Sequence, residues 1–125
     1  MEERILVSLK KVLGLDEDRV EFDEDIIMHA NAAFSTLFDL GIAPSSGFMI
    51  EDASAEWSEL VTKNIPLFND VRSYVALRVR MLFDPPETPQ LLGSFERQIK
   101  ELEYRMTTRK EALEWVPPVL PSISE

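Results

Sequence analysis

Hydrophobic residues recur at intervals of three and four along most of this chain, which is the pattern of amphipathic α-helices. The first predicted helix covers residues 3–13, and its apolar positions fall on one face: Ile5, Leu6, Leu9, Val12 and Leu13. Gly14 follows and ends it, since glycine is common just after a helix. The second predicted helix runs from about 24 to 40 and ends at Gly41.

The start of this second helix carries further signals. Asp23 is placed to act as its N-cap, and Glu24 and Asp25 follow in the first turn, where negative charge suits the helix dipole. Phe22 and Ile27 occupy the two positions of a hydrophobic staple. The chain is therefore expected to enter the helix at this point.

The third predicted helix, about 65–83, is apolar on more than one face. Such a helix is covered on several sides, so we expect it at the centre of the fold. It must stop before Pro85, because proline disfavours the α conformation at the preceding residue. The fourth predicted helix, about 89–106, begins with Thr88 as N-cap and Pro89 at the first helical position.

The fourth helix carries an apolar stripe with alternating spacings of three and four residues: Leu92, Phe95, Ile99, Leu102 and Met106. Beyond Met106 the stripe weakens at Thr107 and Thr108, which are poor helix formers. Leu113 and Val116 lie at spacings that would extend it. The pattern leaves the end of this helix open beyond 106.

The segment DPPETP, residues 84–89, joins the third and fourth helices. A short, proline-rich joint between two long helices predicts a stiff antiparallel hairpin. The predicted fold class is therefore all-α: a small helical bundle built around the hairpin of 65–83 and 89–106.

The stretch near 44–56 lacks helical periodicity and begins with proline, serines and glycine, so it is predicted to be a short irregular insert. Ser54 is placed to cap a brief helix through Trp57 and Leu60. Trp57 is expected to hold the insert against the core.

The charge of the chain is unevenly distributed. The net charge is −10, and residues 1–60 contribute all of it, with 14 acidic and 4 basic residues. An acidic half cannot gather phosphates by releasing counterions, which argues against a sequence-independent nucleic-acid binder. The absence of cysteine removes disulfides and thiolate chemistry. No apolar run approaches the roughly 20 residues of a membrane helix, so no membrane partner is expected.

The proline content divides the chain into two parts. Residues 1–115 form the predicted single helical domain, and residues 116–125 form an extended proline-rich tail. Four apolar residues of this tail are candidates for binding a partner: Val116, Val119, Leu120 and Ile123.

The sequence predicts no catalytic, cofactor-binding or metal-binding residues and no enzyme activity. The acidic run at 16–25 lacks the glycine and the ligand spacing of a calcium loop. His29 is the one histidine of the chain, and a zinc site would need further histidine or cysteine ligands.

Three arginines decorate the otherwise apolar third helix: Arg72, Arg78 and Arg80. Two interpretations stay open. Their stems can lie along the apolar surface while their guanidinium groups pair with acids of the first half of the same chain. Alternatively, they form subunit contacts, in which the neutral half of one copy meets the acidic half of the next.

The chain resembles the head–tail connector proteins of tailed bacteriophages and prophages over roughly residues 4–106. The segments that carry the resemblance are ILVSLKKVLG, FDEDIIMHANAAFSTLFDLGI, GFMIEDASAEWSEL and VRSYVALRVRMLFDPPETPQLLGSFERQIKELEYRM. The most specific parts are DEDIIMHAN and the hairpin segment, whereas the proline-rich tail has no close counterpart.

The resemblance implies an all-helical adaptor that assembles as a ring, a dodecamer, on the portal protein. A structural adaptor of this kind is expected to be monomeric or weakly associated in isolation. Its bore would continue the DNA channel without binding the DNA specifically. Its partners would be the portal and a further head-completion or tail protein, and residues 116–125 would reach the portal. The implied location is the head–tail junction of the virion, with assembly in the host cytoplasm.

A second hypothesis is a small helical interaction or regulatory module that pairs with a partner through helix 89–106. The two-heptad stripe supports it, although the core of this domain would need the same stripe.

Overall fold

The computed structural model describes residues 3–42, 47–60 and 65–114. In these ranges the chain forms four α-helices: α1 (Ile5–Val12), α2 (Asp23–Asp39), α3 (Ile65–Phe83) and α4 (Pro89–Glu114). One 3₁₀ turn, Trp57–Glu59, lies between α2 and α3. No strand occurs in the described residues, where β pairing is limited to an isolated bridge between Arg4 and Glu56. The all-α prediction is confirmed.

The predicted antiparallel hairpin is present. Contacts between α3 and α4 pair early residues of one helix with late residues of the other: Asp70 with Arg109, Tyr74 with Glu103, and Arg80 with Phe95. The joint behaves as expected, since the Leu91 amide donates to Thr88 Oγ1 at 3.2 Å and thereby caps α4. Its proline-rich sequence ends one helix and starts the next.

The third helix lies at the centre, as predicted, because it packs against α1, α2 and α4. Val71, Tyr74, Val75 and Val79 of α3 are all fully buried. At the far end of α3 the Phe83 ring meets Phe22 edge-on, with centroids 5.4 Å apart.

The direction of α2 follows from its two ends. Phe22, just before α2, lies at the end of α3, whereas a Cβ placed on Gly41, just after α2, would lie 3.6 Å from Lys110 Cε on α4. Helix α2 is therefore antiparallel to α3 and parallel to α4. The carboxyl ends of α2 and α4 lie at the same end of the bundle.

Trp57 holds the insert against the core, as predicted. Its side chain is fully buried, its indole Nε1 donates to Ser8 Oγ of α1 at 2.8 Å, and its ring meets Phe68 of α3 edge-on. The described part of the insert, 47–56, has no helix or strand, whereas 43–46 lie outside the described residues.

Two predicted caps are wrong. Asp23 is the first residue of α2 and makes no capping hydrogen bond there; its carboxylate pairs with Lys10 instead. Ser54 donates its hydroxyl and its amide to Asp52, which lowers the pKa of that carboxyl group. The 3₁₀ turn is capped by Glu56, whose backbone amide donates to the Glu59 carboxylate at 2.8 Å.

The fourth helix is longer than the predicted 89–106. It runs to Glu114 without interruption, 26 residues or about 39 Å at the helical rise of 1.5 Å per residue. Thr107 does not break it, and its hydroxyl lies within hydrogen-bonding distance of the Glu103 and Tyr104 carbonyls, at 3.0 and 2.9 Å. The extension is also paired with α3 through Asp70.

Candidate interaction surfaces

A polar cluster links α2, α3 and α4 around Arg78. The Tyr74 hydroxyl donates to Glu103 Oε2 at 2.6 Å, and the Arg78 guanidinium lies within 4.0 Å of that same carboxylate oxygen. Arg78 also donates to Thr36 Oγ1 of α2 at 3.4 Å and stacks over the Tyr74 ring. This predicted subunit-contact arginine therefore has partners on three helices of its own chain.

Burial raises the pKa of the Tyr74 phenol above its ordinary value near 10, and the hydrogen bond to Glu103 adds to this effect. The charged Arg78 opposes it. The neutral phenol is the form that this cluster stabilises.

The other two arginines lie nearer the surface. Arg72 pairs with Glu3 in the first half of the chain and lies over the Phe68 ring. Arg80 donates to the Asp84 carbonyl at 3.1 Å and lies over Phe95 of α4. Of the three arginines, Arg72 is the one for which the structure gives an acidic partner in residues 1–60.

Asp70 joins α3 to the extension of α4. Its side chain is only 8% exposed, and it accepts from Arg109 Nε at 2.7 Å and from Arg105 at 3.4 Å. Arg105 also pairs with Glu101 one turn earlier. The end of α4 is thus tied to the beginning of α3 by one buried carboxylate.

The second half of the apolar stripe of α4 serves the core of this subunit. Leu102 and Met106 are buried in it, and Ile99 packs against it. These positions are occupied within the chain, which weakens the hypothesis that α4 pairs with a partner helix through the same stripe.

An aromatic groove lies between α2 and the insert. It is an open depression of about 370 Å³ lined by Phe34, Ser35, Phe38, Gly47, Phe48 and Met49. Phe34 is fully buried and meets Phe48 edge-on with centroids 4.9 Å apart, whereas Phe38 is 45% exposed and Met49 is 71% exposed. We call these six residues the aromatic groove.

Sequence reasoning missed this groove, because Phe34 and Phe38 are four residues apart, and that spacing places both on the apolar face of the predicted helix. A signal was present, since two phenylalanines four residues apart are followed by a third at 48 in the insert. Asn31 brings that insert onto α2: its side-chain amide donates to the Ile50 carbonyl and accepts from the Ile50 amide, at 3.0 and 2.9 Å.

A buried lysine links α1 to the acidic run at 16–25. Lys10 of α1 is buried, and its ammonium donates to the Glu17 carbonyl and lies 2.9 Å from Asp23 Oδ1. Among the described residues, no group of three or more histidine or acidic side chains is arranged to hold a metal ion. In the same part of the chain, no helix is both long and apolar enough to span a membrane.

The tail candidates Val116, Val119, Leu120 and Ile123 lie outside the described residues. Their role as partner-binding residues stays a prediction.

Comparison with known proteins identifies the family. A family model described as phage connector protein matches residues 5–112, which is most of the chain. The chain belongs to the phage connector protein family. This confirms the resemblance seen in the sequence. Searches of curated proteins and of solved structures gave no significant match.

The matched region includes residues of all four helices. It starts at the first residue of α1 and ends two residues before the end of α4. It therefore includes the extension of α4 beyond 106, but not the proline-rich tail. The aromatic groove, the Arg78 cluster and Asp70 all lie inside the connector region.

Proposed function

We propose that this connector is a head–tail adaptor that assembles as a dodecameric ring below the portal of a tailed phage or prophage. The ring extends the DNA channel and provides the surface to which the tail attaches. The observation that carries the proposal is the connector family match over residues 5–112.

The shape of the subunit supports assembly into a ring. A head-to-tail ring requires each copy to present two different faces to its neighbours. The hairpin of α3 and α4 is held by ion pairs and by its capped joint, so it can keep such faces in fixed positions. In this assembly Arg72, Arg78 and Arg80 are the proposed subunit contacts.

The charge of the subunit supports a conduit for DNA. A net charge of −10 repels the phosphate backbone, so a duplex can pass without being held. The proposed work of this protein is therefore done by shape and contact, with no catalytic step and no cofactor.

The chain is proposed to divide into a helical domain, 1–115, and a tail, 116–125, that binds the portal. Three prolines in the tail preclude a helix, and its apolar residues suit capture by a groove or a sheet edge of another protein. The proposed tail contacts are Val116, Val119, Leu120 and Ile123.

The proposed location is the head–tail junction of the virion, reached after assembly in the host cytoplasm. The partners are the portal and a further head-completion or tail protein. Before it meets the portal the subunit is expected to be a monomer.

The decisive experiment mixes the full chain with the portal protein encoded beside it and images the particles by electron microscopy. A ring of this protein on the portal is expected, and removal of residues 116–125 should reduce its occupancy. The proposal fails if no complex forms between the folded chain and an intact portal at any protein concentration or salt concentration tested.

A further inference from the structure

The aromatic groove presents a binding surface that the helical core does not cover. Phe38 and Met49 together place two large apolar side chains in solvent, 45% and 71% exposed, beside the buried Phe34. Aromatic side chains arranged in a shallow groove are what extended proline-rich segments bind, because such segments are already extended and lose little entropy on binding.

This chain carries a segment of that kind. Residues 115–125 read WVPPVLPSISE and contain Pro118 and Pro121 in the spacing PxxP. The segment is uncharged from Trp115 to Ser124. An uncharged ligand suits a groove on the acidic first half of the molecule, where an acidic peptide would be repelled.

The end of α4 delivers this segment close to the groove. Lys110 lies against Gly41, and Phe38 is three residues before Gly41, so the groove begins about 5 Å back along α2 at 1.5 Å per residue. Glu114, the last residue of α4, lies about 6 Å beyond Lys110 by the same rise. To reach the groove, a segment that leaves α4 has to turn back and run along α2 in the opposite direction.

The length of the tail permits this path. Helices α2 and α4 both pack on α3 rather than on each other, so their axes lie roughly 10–20 Å apart and the distance from Glu114 to Phe38 is about 15–23 Å. In the polyproline conformation, at about 3.1 Å per residue, Leu120 lies within about 19 Å of Glu114 and Ile123 within about 28 Å. The tail is therefore long enough to reach the groove of its own subunit.

We propose that the tail of this protein binds in its own aromatic groove, with Val119 and Leu120 packed on Phe38 and Met49. The bound tail covers apolar surface of the free subunit, and a partner that takes the tail exposes the groove again. The inference concerns the free subunit and does not depend on whether that partner is a portal.

Proteolysis of the full-length protein tests the proposal from the groove side. We expect Phe38→Ser and Met49→Ser each to increase the rate of cleavage within 115–125 by about fivefold or more, since the population of released tail rises. Met28→Ser is the matched control, because Met28 is also an exposed residue of α2, at 59%, but does not line the groove. Equal cleavage rates in Phe38→Ser and Met28→Ser, both with unchanged unfolding midpoints, would overturn the proposal.

Methyl NMR of the methionines tests it from the tail side. Val119→Ser and Leu120→Ser should shift the Met49 methyl resonance and leave that of Met106, which is buried in the core, unchanged. The double variant Leu120→Ser/Phe38→Ser should increase the cleavage rate of the tail by less than the product of the two single effects, since both substitutions remove the same contact. An unmoved Met49 resonance would rule out the contact.

The dependence of the Met49 shift on protein concentration shows whether the bound tail belongs to the same subunit or to a second copy. The Met49 shift should be constant over about a hundredfold range of protein concentration, as for a tethered ligand. A shift that grows with concentration would assign the bound tail to a second copy and overturn binding within one subunit.

Discussion

Lys10 is a buried charge whose partners define the connection between α1 and α2. Its side chain is 3% exposed, and its ammonium meets both the Glu17 carbonyl and the Asp23 carboxylate. Burying an ammonium is unfavourable unless it is paired and hydrogen-bonded, so these two contacts fix the acidic turn between the helices. Lys11, the next residue, is exposed.

Lys10→Met should therefore lower the free energy of unfolding by about 2–3 kcal/mol, because it keeps the aliphatic stem but leaves Asp23 and the Glu17 carbonyl unpaired. Urea denaturation measures the change. Lys11→Met is the control and should stay within about 0.5 kcal/mol of the wild type. Equal losses in both variants would show that the pairing has no special role.

Tyr74 makes the stability of the fold depend on pH in the alkaline range. Its pKa in the folded chain lies above the ordinary value near 10, since burial and Glu103 favour the neutral phenol. Above pH 10 the unfolded chain loses this proton first, so it binds fewer protons than the folded chain. The free energy of unfolding then falls as pH rises, and the contribution is complete below pH 10.

Tyr74→Phe should remove this dependence. At pH 7 the variant should be about 1 kcal/mol less stable, because the Glu103 carboxylate loses a donor. From pH 9 to pH 11 its stability should fall less than that of the wild type, whose other ionisable groups are the same. Denaturation curves at each pH measure the difference, and parallel losses in the two proteins would contradict the assignment to Tyr74.

Helix α4 shows how one element depends on another. Its last two turns, beyond Met106, carry Thr107 and Thr108, which are poor helix formers. They are held by Asp70 of α3, which pairs with both Arg105 and Arg109. This tertiary contact supports α4 at the two threonines, beyond which residues 109–114 are themselves good helix formers.

Asp70→Asn should fray α4 from 107 to 114 and leave 89–106 folded. Hydrogen exchange should speed up by about tenfold in the amides of 107–114, because local opening then requires less free energy. Asp84→Asn is the matched control, since the exposed Asp84 carboxylate lies 3.9 Å from Arg80, at the other end of the hairpin from residues 107–114. Unchanged exchange in 107–114 would mean that the ion pairs do not maintain the extension.

Periodicity predicted the helices well because each of them has one or more apolar faces that the core must cover. The Thr88 cap and the proline joint were predictable for a local reason, since their partners lie within three residues. The end of α4 was not predictable, because Asp70 acts on it from 39 residues away. Asp23 was misassigned for the same reason, since its partner Lys10 belongs to another helix.

The candidate surfaces were predicted less completely than the helices. Arg72, Arg78 and Arg80 were recognisable as charges on an apolar helix, but their partners depend on how α1, α2 and α4 pack around them. The aromatic groove escaped prediction because helical spacing does not distinguish Phe34, which is buried, from Phe38, which is half-exposed. That difference arises from the insert, which Asn31 holds over one part of α2.

The whole molecule combines an acidic half with a neutral half, and Arg72 joins them through Glu3. The neutral half of one copy is proposed to meet the acidic half of the next in the ring. An exposed arginine can then leave its carboxylate partner in its own chain and pair with a carboxylate of the neighbouring subunit. Arg72 is suited to such an exchange because its side chain is 40% exposed. Arg78 is less suited, since it already contacts three helices.

Arg72→Gln and Arg78→Gln should therefore fail in different ways. Arg72→Gln should change the stability of the free subunit by no more than about 0.5 kcal/mol, as expected for a surface ion pair, yet raise the protein concentration needed to form a ring on the portal. Arg78→Gln should destabilise the free subunit by about 1 kcal/mol. Denaturation measures the stability of the free subunit. Particle imaging across a salt series measures the protein concentration at which rings form on the portal. A contact between charged halves must weaken when one charge is removed. If Arg72→Gln forms rings at the same protein concentration and with the same salt dependence as the wild type, Arg72 therefore pairs only with Glu3 of its own chain and is not a subunit contact.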